Sequence, residues 1–236
     1  MKSSKEFVNL LTIMFLLTFS IFLLNNHLET VTSLHVSSTT PSYTVVIDAG
    51  HGGFDSGKVG VDGTLEKDLN LMIAKKLEQL LKTADIRVIM TRTEDIGLYE
   101  ESSANKKRQD MTARAALMNE AKADCIISIH QNSYSSESID GAQVFYYTGS
   151  KEGEKLASFI QKSLISRVDP LNHRSEKSNS SYFLLKNAAS PIVIVECGFL
   201  SNWEESKKLV DDAYQQKLAW AIHVGILQYL NLRTSG

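Results

Sequence analysis

The sequence predicts an α/β domain in which helices cover both faces of a twisted, mainly parallel β-sheet. Short apolar runs rich in β-branched residues recur along the chain without polar alternation, which is typical of strands buried on both faces. Between these runs, apolar residues recur at helical spacing. Strands that alternate with helices form largely parallel sheets, and 43% hydrophobic with 22% charged residues is a normal composition for a packed domain.

The first half of the predicted domain contains three strands and two helices. Residues 43–48 form the first apolar run, with valine and isoleucine at its centre. Leucine and isoleucine at intervals of three or four predict an amphipathic helix over about 66–83. Apolar runs at 86–91 and 125–129 predict two more strands, and the residues from about 110 to 122 between them predict a second helix.

The second half continues this alternation. A fourth apolar run at 142–147 predicts a strand, and apolar residues at intervals of four from 156 to 168 predict the next helix. The fifth run, at 192–195, contains only isoleucine and valine. The spacing of leucine, isoleucine and tyrosine from 218 to 229 predicts the closing helix.

The N-terminus has the features of an export signal. Lys2 and Lys5 precede an uncharged apolar run from Phe7 to Leu24, and its 18 residues are at the short end of the range for a membrane span. Residues 31–33 form only a weak cleavage site. We therefore expect residues 1–24 to act as an uncleaved signal anchor, with a cleaved signal peptide as the alternative. Either case places the remainder of the chain outside the cytoplasm.

Three further segments follow: a polar tether at 25–43, the folded domain at 44–230 and a short tail at 231–236. The tether ends in serine, threonine and proline, a composition typical of linkers. The formal net charge of −2 excludes the basic excess of nucleic-acid-binding proteins. Cys125 and Cys197 are too few for a disulfide scaffold.

Polar clusters follow three of the predicted strands at their carboxyl ends. They begin at Asp48, His130 and Glu196, and the first continues through a glycine-rich turn around His51. In open α/β sheets, ligands bind at the carboxyl ends of the strands. The topology is therefore expected to deliver two imidazoles and a carboxylate to one edge of the sheet.

His51, Glu66 and His130 are candidate metal ligands. Taken singly, each has an ordinary explanation: a histidine in a surface turn, a carboxylate near a helix N-terminus and a satisfied core histidine. Together, two histidines and one glutamate are a standard protein contribution to a catalytic zinc site that keeps its fourth position for water. The combination therefore points to zinc.

Four motifs in register resemble those of the family-3 N-acetylmuramoyl-L-alanine amidases. The motifs are DAGHGG at 48–53 with Asp55 and Gly57, LEK at 65–67, SIH at 128–130 with Asn132, and VECGFLSN at 195–202. The resemblance covers about residues 44–230, which would then be the catalytic domain. An N-terminal apolar segment, a minimal domain and no wall-binding repeats are similar to the layout of the germination-specific, spore-cortex amidases.

The resemblance implies roles for four residues. His51, Glu66 and His130 would bind one Zn²⁺, and Glu196 would be the catalytic carboxylate that takes a proton from water and passes it to the leaving amine. The family's substrate is the amide between the lactyl group of N-acetylmuramic acid and L-alanine. In cortex-type enzymes its hydrolysis prepares muramic acid for conversion to muramic-δ-lactam by a separate deacetylase.

Other residues near these motifs receive less specific assignments. Asn132 is a candidate for contact with substrate or water. Asp48 and Asp55 are expected either to orient metal ligands or to stabilise the turn. Cys197 should point away from Glu196, because neighbouring strand residues face opposite sides. The short loop at 131–141 leaves no room for the inhibitory helix that some relatives carry, so we expect an open site.

The expected partners are peptidoglycan as substrate and the membrane through the N-terminal segment, at the cortex side of the spore envelope. Without a wall-binding module, affinity for the wall comes either from tethering or from a partner protein that targets or activates the enzyme. Two alternatives remain: another envelope zinc hydrolase, such as a peptidase or deacetylase, and a non-catalytic wall-binding protein with the same fold.

Overall fold

The computed structural model describes residues 12–20 and 43–234, which belong to two separate units. Residues 12–20 are helical, with exposed side chains and with stacked rings at Phe15 and Phe19. In these two described ranges, no helix combines the length and the apolarity needed to cross a bilayer. The predicted signal anchor lies mostly outside the described residues, as does nearly all of the predicted tether.

Six strands in the second unit form one mixed sheet. They are β1 (Thr44–Ala49), β2 (Arg87–Met90), β3 (Cys125–Asn132), β4 (Gln143–Tyr147), β5 (Lys177–Asn179) and β6 (Ile192–Phe199). Their order across the sheet is β2-β1-β3-β6-β4-β5. Four of the five pairings are parallel and the β4–β6 pairing is antiparallel, so the predicted parallel character holds for most of the sheet.

Helices cover both faces of this sheet, as predicted. They are α1 (Glu66–Thr83), α2 (Lys106–Glu120), α3 (Lys151–Arg167), α4 (Phe183–Asn187), α5 (Trp203–Leu209) and α6 (Asp212–Thr234). The larger core lies on one face, where buried side chains of α1, α3 and α6 pack against the strands. A smaller core on the opposite face is covered by α2 and the short α4. We call this second side the thin face.

Alternation along the strands places the candidate site on the thin face. Val46, Ile126 and Ile194 belong to the smaller core of that face. Because side chains two positions apart in a strand share a face, His130 and Glu196 project to the same side as Ile126 and Ile194. The thin face is therefore apolar in the middle of the sheet and polar at the carboxyl ends of its central strands.

Strand register brings the candidate residues opposite each other. Asp48 of β1 pairs with Ser128 of β3, and His130 of β3 pairs with Glu196 of β6. Beyond this pair the register shifts at a β-bulge, because Asn132 pairs with Phe199. Parallel pairing in this register delivers His130 and Glu196 to neighbouring positions.

The structure differs from the sequence-based prediction at several element ends. The third and fifth predicted strands were expected to end at 129 and 195, but β3 and β6 continue to 132 and 199 and contain His130 and Glu196. The second helix begins at Lys106, because Asn105 caps it by accepting a hydrogen bond from the amide of Arg108. The first turn of this helix is polar and has no apolar periodicity, so the sequence pattern predicts a later start, at about residue 110.

Candidate active site

The structure brings His51, Glu66 and His130 together at the carboxyl edge of the sheet. One ligand atom from each residue lies within 4.8 Å of the other two. Glu66 Oε1 is 3.2 Å from His51 Nε2 and 2.9 Å from His130 Nδ1. The two imidazoles meet edge-on, with ring centroids 5.0 Å apart and an interplanar angle of 79°. Three distant segments thus converge on one group of donors that could hold a metal ion.

A strained turn after β1 presents His51. The backbone of His51 has φ +62°, and the glycines at 52 and 53 also have positive φ values of +131° and +59°. Few non-glycine residues adopt this conformation, so the surrounding contacts must hold it. Asp55 Oδ2 lies 2.9 Å from His51 Nδ1. Asp55 therefore occupies the outer side of the ring, which leaves Nε2 facing Glu66.

Glu66, the first residue of α1, is fixed by hydrogen bonds to both carboxylate oxygens. Oε2 accepts from the amide of Lys58 at 2.8 Å, and Oε1 accepts from the amide of Gln131 at 3.1 Å and from the side chain of Asn70 at 3.3 Å. Burial alone would raise the pKa of Glu66, but the imidazoles of His130 and His51 outweigh it and hold the pKa far below its usual value. The carboxylate is therefore ionised and aimed between the two histidines.

Glu196 lies beside this group, in β6 next to His130. Its side chain is 8% exposed, and Oε2 has no hydrogen-bond partner in the described part of the chain. Burial raises the pKa of Glu196 to about 7, and the negative charge of Glu66 acts in the same direction while the two imidazoles oppose it. A buried carboxyl group with a pKa near neutrality and a free oxygen is suited to proton transfer.

These groups line an open cavity of about 570 Å³ on the thin face. Residues 133–142, between β3 and β4, contain no helix. The rest of the cavity lining is partly aromatic and basic, and it includes Lys58, Lys107, Met111, Tyr182 and Phe183. A cavity with apolar walls and a few convergent polar groups is the usual form of a substrate site.

The remaining site residues named from the sequence have distinct positions. Asn132 lines the cavity, and its side-chain oxygen accepts from the amide of Ser133. Asp48, which also lines the cavity, is fully buried and accepts hydrogen bonds from Ser128 and Arg114. Cys197 is buried in the larger core, on the side of the sheet away from Glu196, as the alternation of strand residues predicted.

Comparison with known proteins identifies the family. The family model described as N-acetylmuramoyl-L-alanine amidase matches residues 45–228, nearly the whole domain. The chain belongs to the N-acetylmuramoyl-L-alanine amidase family. It is an amidase that acts on peptidoglycan, which places its action outside the cytoplasm.

Relatives of this amidase include a germination-specific enzyme and amidases of known structure. The germination-specific N-acetylmuramoyl-L-alanine amidase of Bacillus subtilis is 37% identical over 188 residues, 78% of each chain. The CwlD amidase of Clostridioides difficile, solved in complex with the GerS lipoprotein, is 39% identical with a TM-score of 0.79 over 81% of this chain and all of that one. The CwlV catalytic domain of Bacillus (Paenibacillus) polymyxa is 31% identical, with a TM-score of 0.71 over 80% of this chain and 98% of that one.

Sequence reasoning missed several polar residues behind the amidase site. Arg92 and Arg114 are almost completely buried, as is Asn70, and none was singled out. Two sequence signals could have identified the two arginines. Arg114 follows Asp110 at helical i,i+4 spacing, and Arg92 directly follows an apolar strand, where a charged side chain is either exposed or paired.

Gly57 provides a test of how tightly the ligands are packed. A Cβ there would lie 2.5 Å from Glu66 Oε2 and 2.7 Å from His51 Cδ2. We expect Gly57→Ala to weaken binding of a divalent metal by about tenfold or more, measured by chelator competition. Gly149 is a matched control, because it also has positive φ but no atom within 4 Å of an added Cβ. If Gly57→Ala and Gly149→Ala bind metal equally well, close packing at Gly57 does not shape the site.

The burial of Glu196 predicts a pH-dependent cost to stability. Its folded pKa of about 7 exceeds the ordinary value of 4.5, so the folded protein binds the proton more tightly than the unfolded chain. The contribution of Glu196 to the stability of the folded protein should therefore fall as pH rises from 4.5 through 7. With chelator present, Glu196→Gln should unfold like wild type near pH 4.5 and be more stable by up to about 3 kcal/mol at pH 8. Urea unfolding at both pH values tests this, and an equal difference at both would contradict it.

Proposed function

We propose that this amidase is a zinc enzyme that hydrolyses the amide between N-acetylmuramic acid and L-alanine during maturation of the spore cortex. One observation carries the proposal: the donors of His51, Glu66 and His130 converge beside a buried carboxyl oxygen of Glu196 that has no hydrogen-bond partner among the described residues. This arrangement combines a metal-ligand group with a proton-transfer group in one cavity.

The donor set fits zinc. Imidazole nitrogen and carboxylate oxygen bind Zn²⁺ at about 2.0–2.2 Å, so ligands of one tetrahedral ion lie within a few ångström of each other. The three donors are already within 4.8 Å. Asp55, on the outer nitrogen of His51, matches the carboxylate that commonly supports a zinc-binding histidine. A cation would also satisfy the buried charge of Glu66.

Hydrolysis of an amide requires activation of both the attacking water and the amide group. Zinc, when bound, supplies Lewis-acid polarisation of the scissile carbonyl. Glu196 accepts the proton of the attacking water and then donates it to the leaving nitrogen. A pKa near 7 suits both steps, because the group must be a base first and an acid afterwards. The apolar strand beneath Glu196 keeps that carboxyl group from bulk water.

The cortex role rests on the relatives. The Bacillus subtilis relative is named for germination. We propose that the product of this chain is muramic acid freed of its peptide, which a separate deacetylase then converts to muramic-δ-lactam. We propose that residues 1–24 hold the enzyme at the membrane and that 25–43 form the tether to the catalytic domain at 44–230, with 231–236 as the tail. Since the Clostridioides difficile amidase was solved with a lipoprotein, a lipoprotein is the partner class we propose for this chain.

Product analysis tests this proposal. The purified full-length enzyme is incubated with spore and vegetative sacculi, and the products are read by mass spectrometry. We expect new L-alanine amino termini, loss of activity with chelator and recovery with Zn²⁺. Release of acetate or D-alanine would instead support a deacetylase or peptidase, and binding without products would support a wall-binding protein. Equal or faster digestion of vegetative sacculi would contradict the cortex preference.

A further inference from the structure

Two buried arginines hold the backbone of the turn that presents His51. Arg114 donates from Nη1 to the carbonyl of Ala49 at 2.9 Å and from Nη2 to that of His51 at 2.7 Å. Arg92 donates from Nε to the carbonyl of Ala49 at 2.9 Å and from Nη2 to that of Gly50 at 3.1 Å. Three consecutive carbonyls thus accept from guanidinium groups.

Arg92 also connects this turn to the helix that carries Glu66. Its Nη2 donates to the carbonyl of Lys67 at 2.7 Å, in the first turn of α1. Asn70, one turn further along α1, donates to the carbonyl of Gly50 and to the Glu66 carboxylate. The backbones that carry two of the three metal-ligand candidates are therefore joined through one side chain.

Both arginines are buried, and the charge of Arg114 is paired. Arg114 is 1% exposed and Arg92 is 3% exposed. Arg114 forms ion pairs of 2.7 Å with both Asp48 and Asp110, which offset the cost of burying its charge. A planar guanidinium presents several donors in a rigid fork, whereas lysine has one flexible ammonium group. Lysine could keep the charge at either position but could not reach the same set of carbonyls.

The turn needs hydrogen bonds from side chains because its geometry takes its carbonyls out of the hydrogen-bonding pattern of a regular strand. His51 and the two glycines after it have positive φ, a conformation that interrupts the strand. Buried carbonyls without partners are costly, and a turn without them would sample other conformations. Metal affinity falls when the ligand residues become ordered only on binding, because their conformational entropy is then lost in the binding step.

We propose that Arg92 and Arg114 are positioning residues that preorganise His51 and Glu66 for the metal. This inference rests on the proposed zinc site. It assigns to the buried arginines a role in metal affinity, separate from the chemistry of Glu196. They contact the ligand backbones rather than the metal.

Zinc affinity of conservative variants tests the proposal. Arg92→Lys and Arg114→Lys are made in the full-length protein, and the Zn²⁺ Kd is measured by competition with a chromogenic chelator. We expect both to weaken binding by about 10–100-fold. Turnover should recover at saturating zinc, since Glu196 is untouched. Arg114→Lys also disturbs two buried ion pairs and could prevent folding. In that case Arg92→Lys alone decides the test, because the hydrogen bonds of Arg92 go to backbone carbonyls and not to buried carboxylates.

Gln161 supplies a matched control in the larger core. It is 1% exposed and donates to the carbonyls of Ala142 and Arg174, but it lies away from the cavity. Gln161→Met should lower the melting temperature while leaving the Zn²⁺ Kd within about twofold. Arginine variants that lose stability like Gln161→Met but bind zinc like wild type would overturn the inference. Wild-type protein that binds no zinc would instead overturn the proposed function itself.

Discussion

Replacing Glu196 with Gln is expected to lower kcat for muramoyl–L-alanine hydrolysis by about 10²–10⁴-fold, the usual contribution of a general acid–base. Glutamine preserves the size of the side chain but cannot accept the proton of water or return one to the leaving amine. The metal-ligand candidates are left in place, so zinc content should equal that of wild type. The measurement is initial-rate kinetics on purified peptidoglycan fragments, with metal analysis of the same samples.

Glu205 is a matched control for this substitution. It is also a buried carboxyl group whose pKa burial raises, but it accepts hydrogen bonds from the amides of Phe199 and Gly141 and does not line the cavity. Glu205→Gln should therefore lower stability while kcat stays within a few-fold of wild type. Near-normal turnover of Glu196→Gln would remove Glu196 from the role of general base.

Replacing His130 with Ala is expected to abolish both metal binding and hydrolysis. The substitution removes one of three ligand donors and leaves the Glu66 carboxylate with one imidazole. Loss of a ligand should reduce zinc affinity by more than the roughly 10–100-fold seen when an outer-shell partner is removed. The test is Zn²⁺ titration by calorimetry together with activity at increasing zinc. Unlike the arginine variants, His130→Ala should not recover activity at saturating zinc.

His223 provides the control for loss of a buried imidazole. It is 5% exposed in α6, and burial lowers its pKa. His223→Ala should change stability without changing zinc stoichiometry. If His130→Ala retained one tightly bound zinc and normal turnover, the ligand set proposed here would be wrong.

The sequence predicts that the candidate residues converge at one edge of the sheet because strand chemistry and topology act together. The apolar runs before His130 and Glu196 predict buried strands, and the carboxyl ends of parallel strands meet at one edge of the sheet. The sequence underestimates β3 and β6 because polar residues normally mark strand ends, whereas here they continue the strand with their side chains in the cavity. Strand pairing thus overrides the local pattern at the candidate site residues.

The features that escaped prediction depend on contacts between distant segments. β5, Lys177–Asn179, is polar and only three residues long, so its composition resembles a loop. Nothing in the apolar pattern of β4 encodes its direction, which is set by pairing with β6. The contacts of the arginines could not be predicted either, because they also join segments that are distant in the sequence. Arg114 is 63 to 66 positions from the turn it supports, and only the folded chain brings them together.

The interior position of β6 in the sheet has a consequence for how the enzyme is inactivated by heat. Glu196 has a neighbouring strand on each side, with His130 and Gln143 as its partners. Amides in such interior strands exchange with solvent only when the whole domain opens, whereas turns open locally at lower free-energy cost. On heating, the glycine-rich turn should loosen before β6 once its hydrogen bonds to Arg92 and Arg114 weaken. If the proposed zinc site is correct, activity would be lost with the metal while Glu196 is still in place, and cooling with metal present would restore it.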